Sequence, residues 1–321
     1  MVYETFLEII TKQLQNALGE EYEFTLRPLP KNNGVTLDGL TIQDPASPLA
    51  PTIYLNPYYQ QHLQGLGTDA IVREILELYR STPLPSLSAT QDLGNFPALE
   101  KKIMFRIIHS ASNQVLLSDI PHISYLDLSI IFFLALERTD SGQMTALIHN
   151  RHAARWQVSA SQLWNAARKN TPLEYPVQIC TMAEMMTGFG WDAGKSSCAP
   201  APFDLLLQDK ADAFPLYVMT NQSGLYGSSC MLYQHVLRDF AARIRQDLII
   251  LPSSVHEILL TPDPPDTSYE ELSQMVTAIN RQDVPLEDQL SNQVYRYVRQ
   301  EDKIQIMSHG AALLGGSVYL S

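Results

Sequence analysis

The strongest suggestion of chemistry in the chain lies in "LIILPSSVHEILLTPD" (248–263), which sets Ser253, Ser254, His256 and Glu257 between two apolar runs. Serine near histidine is what a nucleophilic hydrolase needs, because an imidazole that takes the hydroxyl proton makes the oxygen a nucleophile. That transfer requires the two side chains within about 3 Å of each other. On a strand, Ser254 and His256 point the same way but stand about 7 Å apart. On a helix, a separation of two puts them on different faces. No G-x-S-x-G elbow occurs anywhere in the chain. A structural reading explains more. "DLIIL" and "VHEILL" are two apolar strands, and "PSS" turns the chain between them, with Pro252 fixing φ and the serines bonding local backbone. His256 then shares a face with Ile258 and Leu260, and Glu257 points outward. A mostly buried imidazole needs a partner, and Asn221 and Ser229 are the expected ones. Two rival readings stay open: a capping box, Ser254-x-x-Glu257, or a functional cluster.

A second segment, "TNQSGLYGSSCMLY" (220–233), ends a strand in a polar, glycine-bearing turn. A helix starting at Ser228 or Ser229 would present free N–H groups and hydroxyls, which suit a small anion. It would also place Cys230 in the first turn, where a thiol pKa falls. The plainer alternative makes Ser228 an N-cap and lets Asn221 do no more than bond the turn. The candidate binding residues are therefore Asn221, Ser228, Ser229, Ser254, His256 and Glu257, with no catalytic residue assigned.

Other motifs fail on spacing. Gly194-Lys195-Ser196 resembles the end of a P-loop, but Phe189 stands where the first glycine belongs. Pro200 and Pro202 also block the helix that must follow the lysine. His149 and His152 lie three apart, and no cysteine pair has zinc spacing, so neither metal nor cofactor is expected.

These residues sit in a chain of 321 residues, long enough for one large domain or two ordinary ones. With 22 Lys and Arg against 34 Asp and Glu, the net charge of −12 repels phosphate backbones, so no nucleic-acid partner is expected. Three cysteines without CxxC spacing point to free thiols in a reducing compartment. Glu4 and Glu8 stand where a signal peptide would be basic. The longest apolar run, "LSIIFFLAL" (128–136), is about half a membrane span. A cytoplasmic protein with no membrane association is expected.

Periodicity outlines the elements. Phe6, Ile9, Ile10 and Leu14 make one face of a first helix that Gly19 ends. "YEFTLRPLP" and "NGVTLDGLTI" read as strands joined by a "KNNG" turn, followed by "TIYLN" and two helices, "PYYQQHL" and "TDAIVREILELYR". Residues 81–97 read as a connection containing one helical turn, and 187–204 as a long loop. "KIMFRIIH", "DLSIIFFLALE" and "MTALIHN" are strands, the last two a hairpin; "SASQLWNAARKN" is a helix capped by Ser159 or Ser161. The strand "PLYVMTN", a continuous helix over 228–246, the 248–260 hairpin, a helix over 268–282, a short helix after Pro285 and the strand "QVYRYV" complete the chain. Hairpins with irregularly interspersed helices favour an α+β fold with mainly antiparallel sheet. The expected division is an N-terminal part at 1–125, a C-terminal part at 126–305 and a tail at 306–321.

Taken together, "DIPHISYLDLSIIFFLAL", "HAARWQVSASQLWNAARKNT", "LYVMTNQSGLYGSSCMLY", "LIILPSSVHEILL", "MVTAIN" and "LSNQVYRYV" resemble an uncharacterised bacterial family whose hallmark is LPSS-[IV]-HE. The middle part is also similar to the uncharacterised YtpQ-type family of cytoplasmic bacterial proteins. Neither resemblance implies an activity, a substrate or a catalytic residue. Where the family usually has Gly-Ala-Ala, this chain has Gly227-Ser228-Ser229, which speaks against a role for the serine hydroxyls. The leading expectation is a non-catalytic binding or regulatory protein with a protein or small-molecule partner. The rival is a hydrolase or transferase with its site between the 220–229 turn and the 253–257 corner.

Overall fold

The computed structural model describes residues 1–45, 50, 52–81, 94–139, 142–186, 215–252 and 254–308. Helix α1 (Tyr3–Leu18) buries Phe6, Ile10 and Leu14, and its end falls at Gly19, which takes φ 108°. Strands β1 (Glu23–Pro30), β2 (Thr36–Gln43) and β3 (Thr52–Tyr54) form an antiparallel sheet, with Asn33 (φ 57°) and Gly34 (φ 75°) making the β1–β2 turn. Helices α2 (Asn56–Leu63) and α3 (Thr68–Ser81) join α1 over this sheet around Leu40, Ile42, Ile71 and Ile75.

The second sheet is built on one long strand. β6 (Leu128–Thr139) pairs with β4 (Ile103–His109) along one edge. Its other edge takes β5 (His122–Tyr125) and then β7 (Gly142–Leu147). The third sheet runs β13-β12-β10-β11-β9-β8, with β8 (Val177–Thr181), β9 (Tyr217–Asn221), β10 (Leu248–Leu251), β11 (Ile258–Pro262), β12 (Tyr295–Val298) and β13 (Lys303–Ile306). Every strand pairing among the described residues is antiparallel, and the fold is α+β.

One core joins the second and third sheets. Phe105, Ile107, Ile130 and Phe132 meet Met219, Ile250, Ile258, Leu260 and Tyr295, with α4 (Ala160–Glu174) and α5 (Val236–Ile244) completing the layer. Of the two caps the sequence offers, Ser159 is the one used, in a box with Gln162. The far face of the third sheet packs Ile249, Leu251 and Leu259 under Val276 and Ile279 of α6 (Tyr269–Gln282). Burial on both faces is why "LIIL" is apolar throughout.

The cut expected at 125/126 falls between β5 and β6, which are hydrogen-bonded neighbours. The larger core runs from Leu99 to Ile304, whereas the N-terminal core spans Phe6 to Ile75. Strands β5, β8 and β13, of four or five residues each, are absent from the sequence reading. Ile306, the first residue of the expected tail, ends β13; residues 309–321 lie outside the described residues.

Candidate functional site

β10 and β11 are antiparallel neighbours, with Leu251 opposite Leu259, so the hairpin reading of the opening segment holds. Its corner differs from expectation. β11 begins at Ile258, which leaves His256 and Glu257 in the connection. The cause is a competing contact. The Val255 N–H bonds the carbonyl of Asp288 at 2.8 Å, and Ser254 bridges Gln289, so the corner is drawn onto the 286–289 turn and leaves the ladder. Glu257 is consequently buried at 8% exposure, not directed outward. Ser253 lies outside the described residues.

The expected His256 partners, Asn221 and Ser229, are replaced by two others. Nε2 stands 3.2 Å from Asp288 Oδ1, and the Tyr226 N–H approaches Nδ1 at 3.4 Å. In the neutral ring Nε2–H therefore donates to Asp288 while Nδ1 accepts. Burial alone would lower this imidazole's pKa, but the hydrogen bond and charge of Asp288, aided by Glu257, more than reverse it and the net shift is upward. Ser254 Oγ accepts the His256 N–H at 3.0 Å, so this serine serves the corner's backbone and makes no dyad with the ring. Asn33, in the β1–β2 turn, holds the 286–289 turn in place by donating to the carbonyls of Leu286 and Gln289.

The 220–229 turn and the 253–257 corner do converge. Thr220 Oγ1 donates to the His256 carbonyl at 2.8 Å, and both the N–H and the Oγ of Ser228 donate to the Val255 carbonyl. The approach is so close that a Cβ at Gly227 would collide with Thr220 Oγ1 and the His256 carbonyl. The continuous helix expected over 228–246 is broken. A 3-10 turn, Gly227–Leu232, is bracketed by left-handed Tyr226 (φ 54°) and His235 (φ 70°), and α5 follows only from Val236. Ser228, Ser229 and Cys230 are buried in this turn. The Ser228 N–H and hydroxyl and the Ser229 N–H, expected to receive an anion, are spent internally, the last on the Tyr226 carbonyl. Ser229 Oγ is buried without a hydrogen-bond partner. The Cys230 thiol donates to the Thr220 carbonyl, and burial pushes its pKa up to about 12, opposite to the expected fall. Asn221 bonds its own turn, accepting from Ser223 and donating to the Leu225 carbonyl.

Beside this junction is a cavity of about 110 Å³. Its wall comprises Phe105, Phe133, Tyr175, Tyr226 and Tyr233 with Leu225, Asn221, Thr145 and Thr171. The polar groups of that wall are largely engaged: Thr171 Oγ1 takes the Phe105 N–H and donates to Ala167, and Tyr233 donates to the Tyr175 carbonyl. Tyr226 is the junction's contribution, its ring stacked on His256 at 5.8 Å. The Arg106 guanidinium lies 4.3 Å from the Tyr226 centroid and 5.9 Å from that of Phe133.

Three features escaped the sequence reading. Arg106 reads there only as one residue of the strand "KIMFRIIH". Asp288, 32 residues from His256, carries no local signal of its role. The third is a Ser–His–Asp series, in which Ser112 Oγ lies 2.8 Å from His109 Nδ1, and His109 Nε2 lies 3.9 Å from Asp127. Nδ1 also meets the Ser112 N–H at 3.3 Å, the geometry of a turn cap, and Asp127 is already bonded by Ser291 and Tyr295. Burial lowers the His109 pKa, outweighing the opposing charge of Asp127. His149 pairs with Asp119 at 2.7 Å and takes part with His152 in capping the helix Asn150–Trp156. Among the described residues no group of His, Cys, Asp and Glu could hold a metal ion. The Gly194-Lys195-Ser196 motif lies outside the described residues.

Residues 3–299 match the profile described as Family of unknown function (DUF5688), nearly the whole chain, and the chain belongs to that family. No curated protein and no solved structure matches it significantly. Among the described residues no helix is long and apolar enough to cross a membrane.

Proposed function

We propose that this member of the family is a non-catalytic binding protein whose ligand is a small molecule held in the aromatic cavity beside the 220–229 turn. The observation that carries the reading is the wall itself: five aromatic rings converge on one space, a surface suited to an apolar group. At about 110 Å³ the cavity falls short of the roughly 300 Å³ at which drug-sized and nucleotide-sized pockets begin. The candidates Ser228, Ser229, Ser254, His256 and Glu257 act as the frame that sets Tyr226, and Asn221 lies in the wall. A cytoplasmic setting is part of the proposal, supported by the free Cys180 and Cys230.

A catalytic alternative, at residues other than those of the 220–229 turn and the 253–257 corner, rests on the Ser112–His109 contact. Its weakness is that Nδ1 already faces the Ser112 N–H, which a protonated ring would repel. The test is ligand-observed NMR on the full chain with isovaleramide as probe. Saturation transfer to the probe that Thr145→Trp abolishes, by laying an indole across the mouth, supports the reading. Transfer unaffected by Thr145→Trp, or hydrolysis of p-nitrophenyl acetate lost in Ser112→Ala, would overturn it.

A further inference from the structure

We infer that protonation of His256 gates the aromatic cavity, the neutral imidazole holding Tyr226 in the wall and the imidazolium letting it go. This regulation rests on the binding reading above and concerns the same cavity. The ring touches Tyr226 twice: it stacks on the phenol with centroids 5.8 Å apart, and its Nδ1 accepts the Tyr226 N–H at 3.4 Å. Tyr226 in turn lines the cavity and takes the left-handed conformation, φ 54°, at the entrance of the Gly227–Leu232 turn. A residue with a side chain keeps that conformation only where its neighbours hold it there.

Protonation acts on this one residue in two ways. An imidazolium is a donor at both nitrogens, so Nδ1 can no longer take the Tyr226 N–H, and the two N–H groups oppose one another. The carbonyl within its reach is that of Gly224, and Leu225, between Gly224 and Tyr226, is also cavity wall. The second effect is electrostatic. The Arg106 guanidinium already lies 4.3 Å from the Tyr226 centroid, so a charged His256 sets a second cation against the same ring.

The charges that face the imidazole favour its protonated form. Asp288 meets Nε2 from the 286–289 turn and Glu257 adjoins it in the corner. Glu287, itself under the influence of Lys31 in the β1–β2 turn, adds a third acid. The 220–229 turn contributes Tyr226 and no charged side chain. The acids therefore stabilise the charged ring while Tyr226 is held by the neutral one, which makes the arrangement responsive near neutral pH. A ligand that needs the Tyr226 wall prefers neutral His256, so its affinity falls as pH falls through the raised His256 pKa. By linkage, the bound ligand lowers that pKa in return.

Isovaleramide, which carries no titrating group, is again the probe, with its Kd read by NMR titration of the full chain from about pH 8.5 to about pH 6. Affinity should fall at least about fivefold toward the lower pH. Asp288→Asn, which removes the charge that favours the imidazolium, should move the fall to lower pH, and His256→Gln should make the affinity independent of pH. In the wild-type protein the His256 ring protons should titrate at lower pH with saturating probe than without it. A wild-type affinity that does not change with pH, or a fall that persists in folded His256→Gln protein, would overturn the gate and leave the cavity reading intact. A His256 titration that the bound probe leaves unmoved would do the same. Absence of binding at every pH would overturn the two together.

Discussion

Gly227→Ala tests whether the junction between the two segments is as close-packed as its geometry implies. The added methyl would meet Thr220 Oγ1 and the His256 carbonyl, with Asn221 N 2.8 Å away. Thr220 and His256 are already joined by a hydrogen bond of 2.8 Å, so neither can retreat without breaking it. Overpacking of this kind costs about 1–3 kcal/mol. Losing the Thr220–His256 bond adds about 0.5–1.5 kcal/mol. The expected destabilisation is therefore about 1.5–4.5 kcal/mol, which for a unit of this size lowers Tm by about 3–18 °C. Urea unfolding followed by circular dichroism measures it, with Gly67→Ala as control. A Cβ at Gly67 meets nothing within 4 Å, so the control should stay within about 0.5 kcal/mol of wild type. A Gly227→Ala protein as stable as that control would show that the two segments do not close on one another as described.

Further expectations follow from the same contacts. Because the His256 pKa is raised in the folded state, its pairing with Asp288 stabilises fully below the ordinary histidine value of about 6.5 and is lost as pH rises through the raised value. The stability gap between wild type and Asp288→Asn should thus be wider at about pH 6 than at about pH 8.5; a gap that widens with pH would reverse the assignment. His256→Ala should lower Tm more than Ser254→Ala, since the ring holds both Asp288 and the Tyr226 backbone, and equal effects would count against that role. In a Cys198→Ser background, Ellman's reagent should modify half-exposed Cys180 in native protein and reach Cys230 only on unfolding, because burial holds that thiol protonated. Tyr295→Phe should cost about 1.5–3 kcal/mol in urea unfolding, the worth of a hydrogen bond to the Asp127 carboxylate; a neutral result would remove Asp127 as an anchor.

What was legible in the sequence was local in origin. Alternation and helical spacing located α1, β1 to β4, β6, α4 and the β10–β11 hairpin, because the burial pattern of an element is written along its own residues. The α+β class followed from their order. Turn chemistry was legible for the same reason, as Asn33 and Gly34 show by taking the left-handed conformation their types tolerate. The site was legible only as two segments. Tertiary structure decided that 220–229 and 253–257 meet, that His256 turns to Asp288, and that the chain breaks at His235 instead of running on as one helix. Each of these depends on a contact between distant residues, or on a backbone conformation that side-chain pattern does not encode. The same holds for Arg106. One strand residue among many in the sequence, it acquires its setting only when Tyr226, 120 positions away, is folded against it.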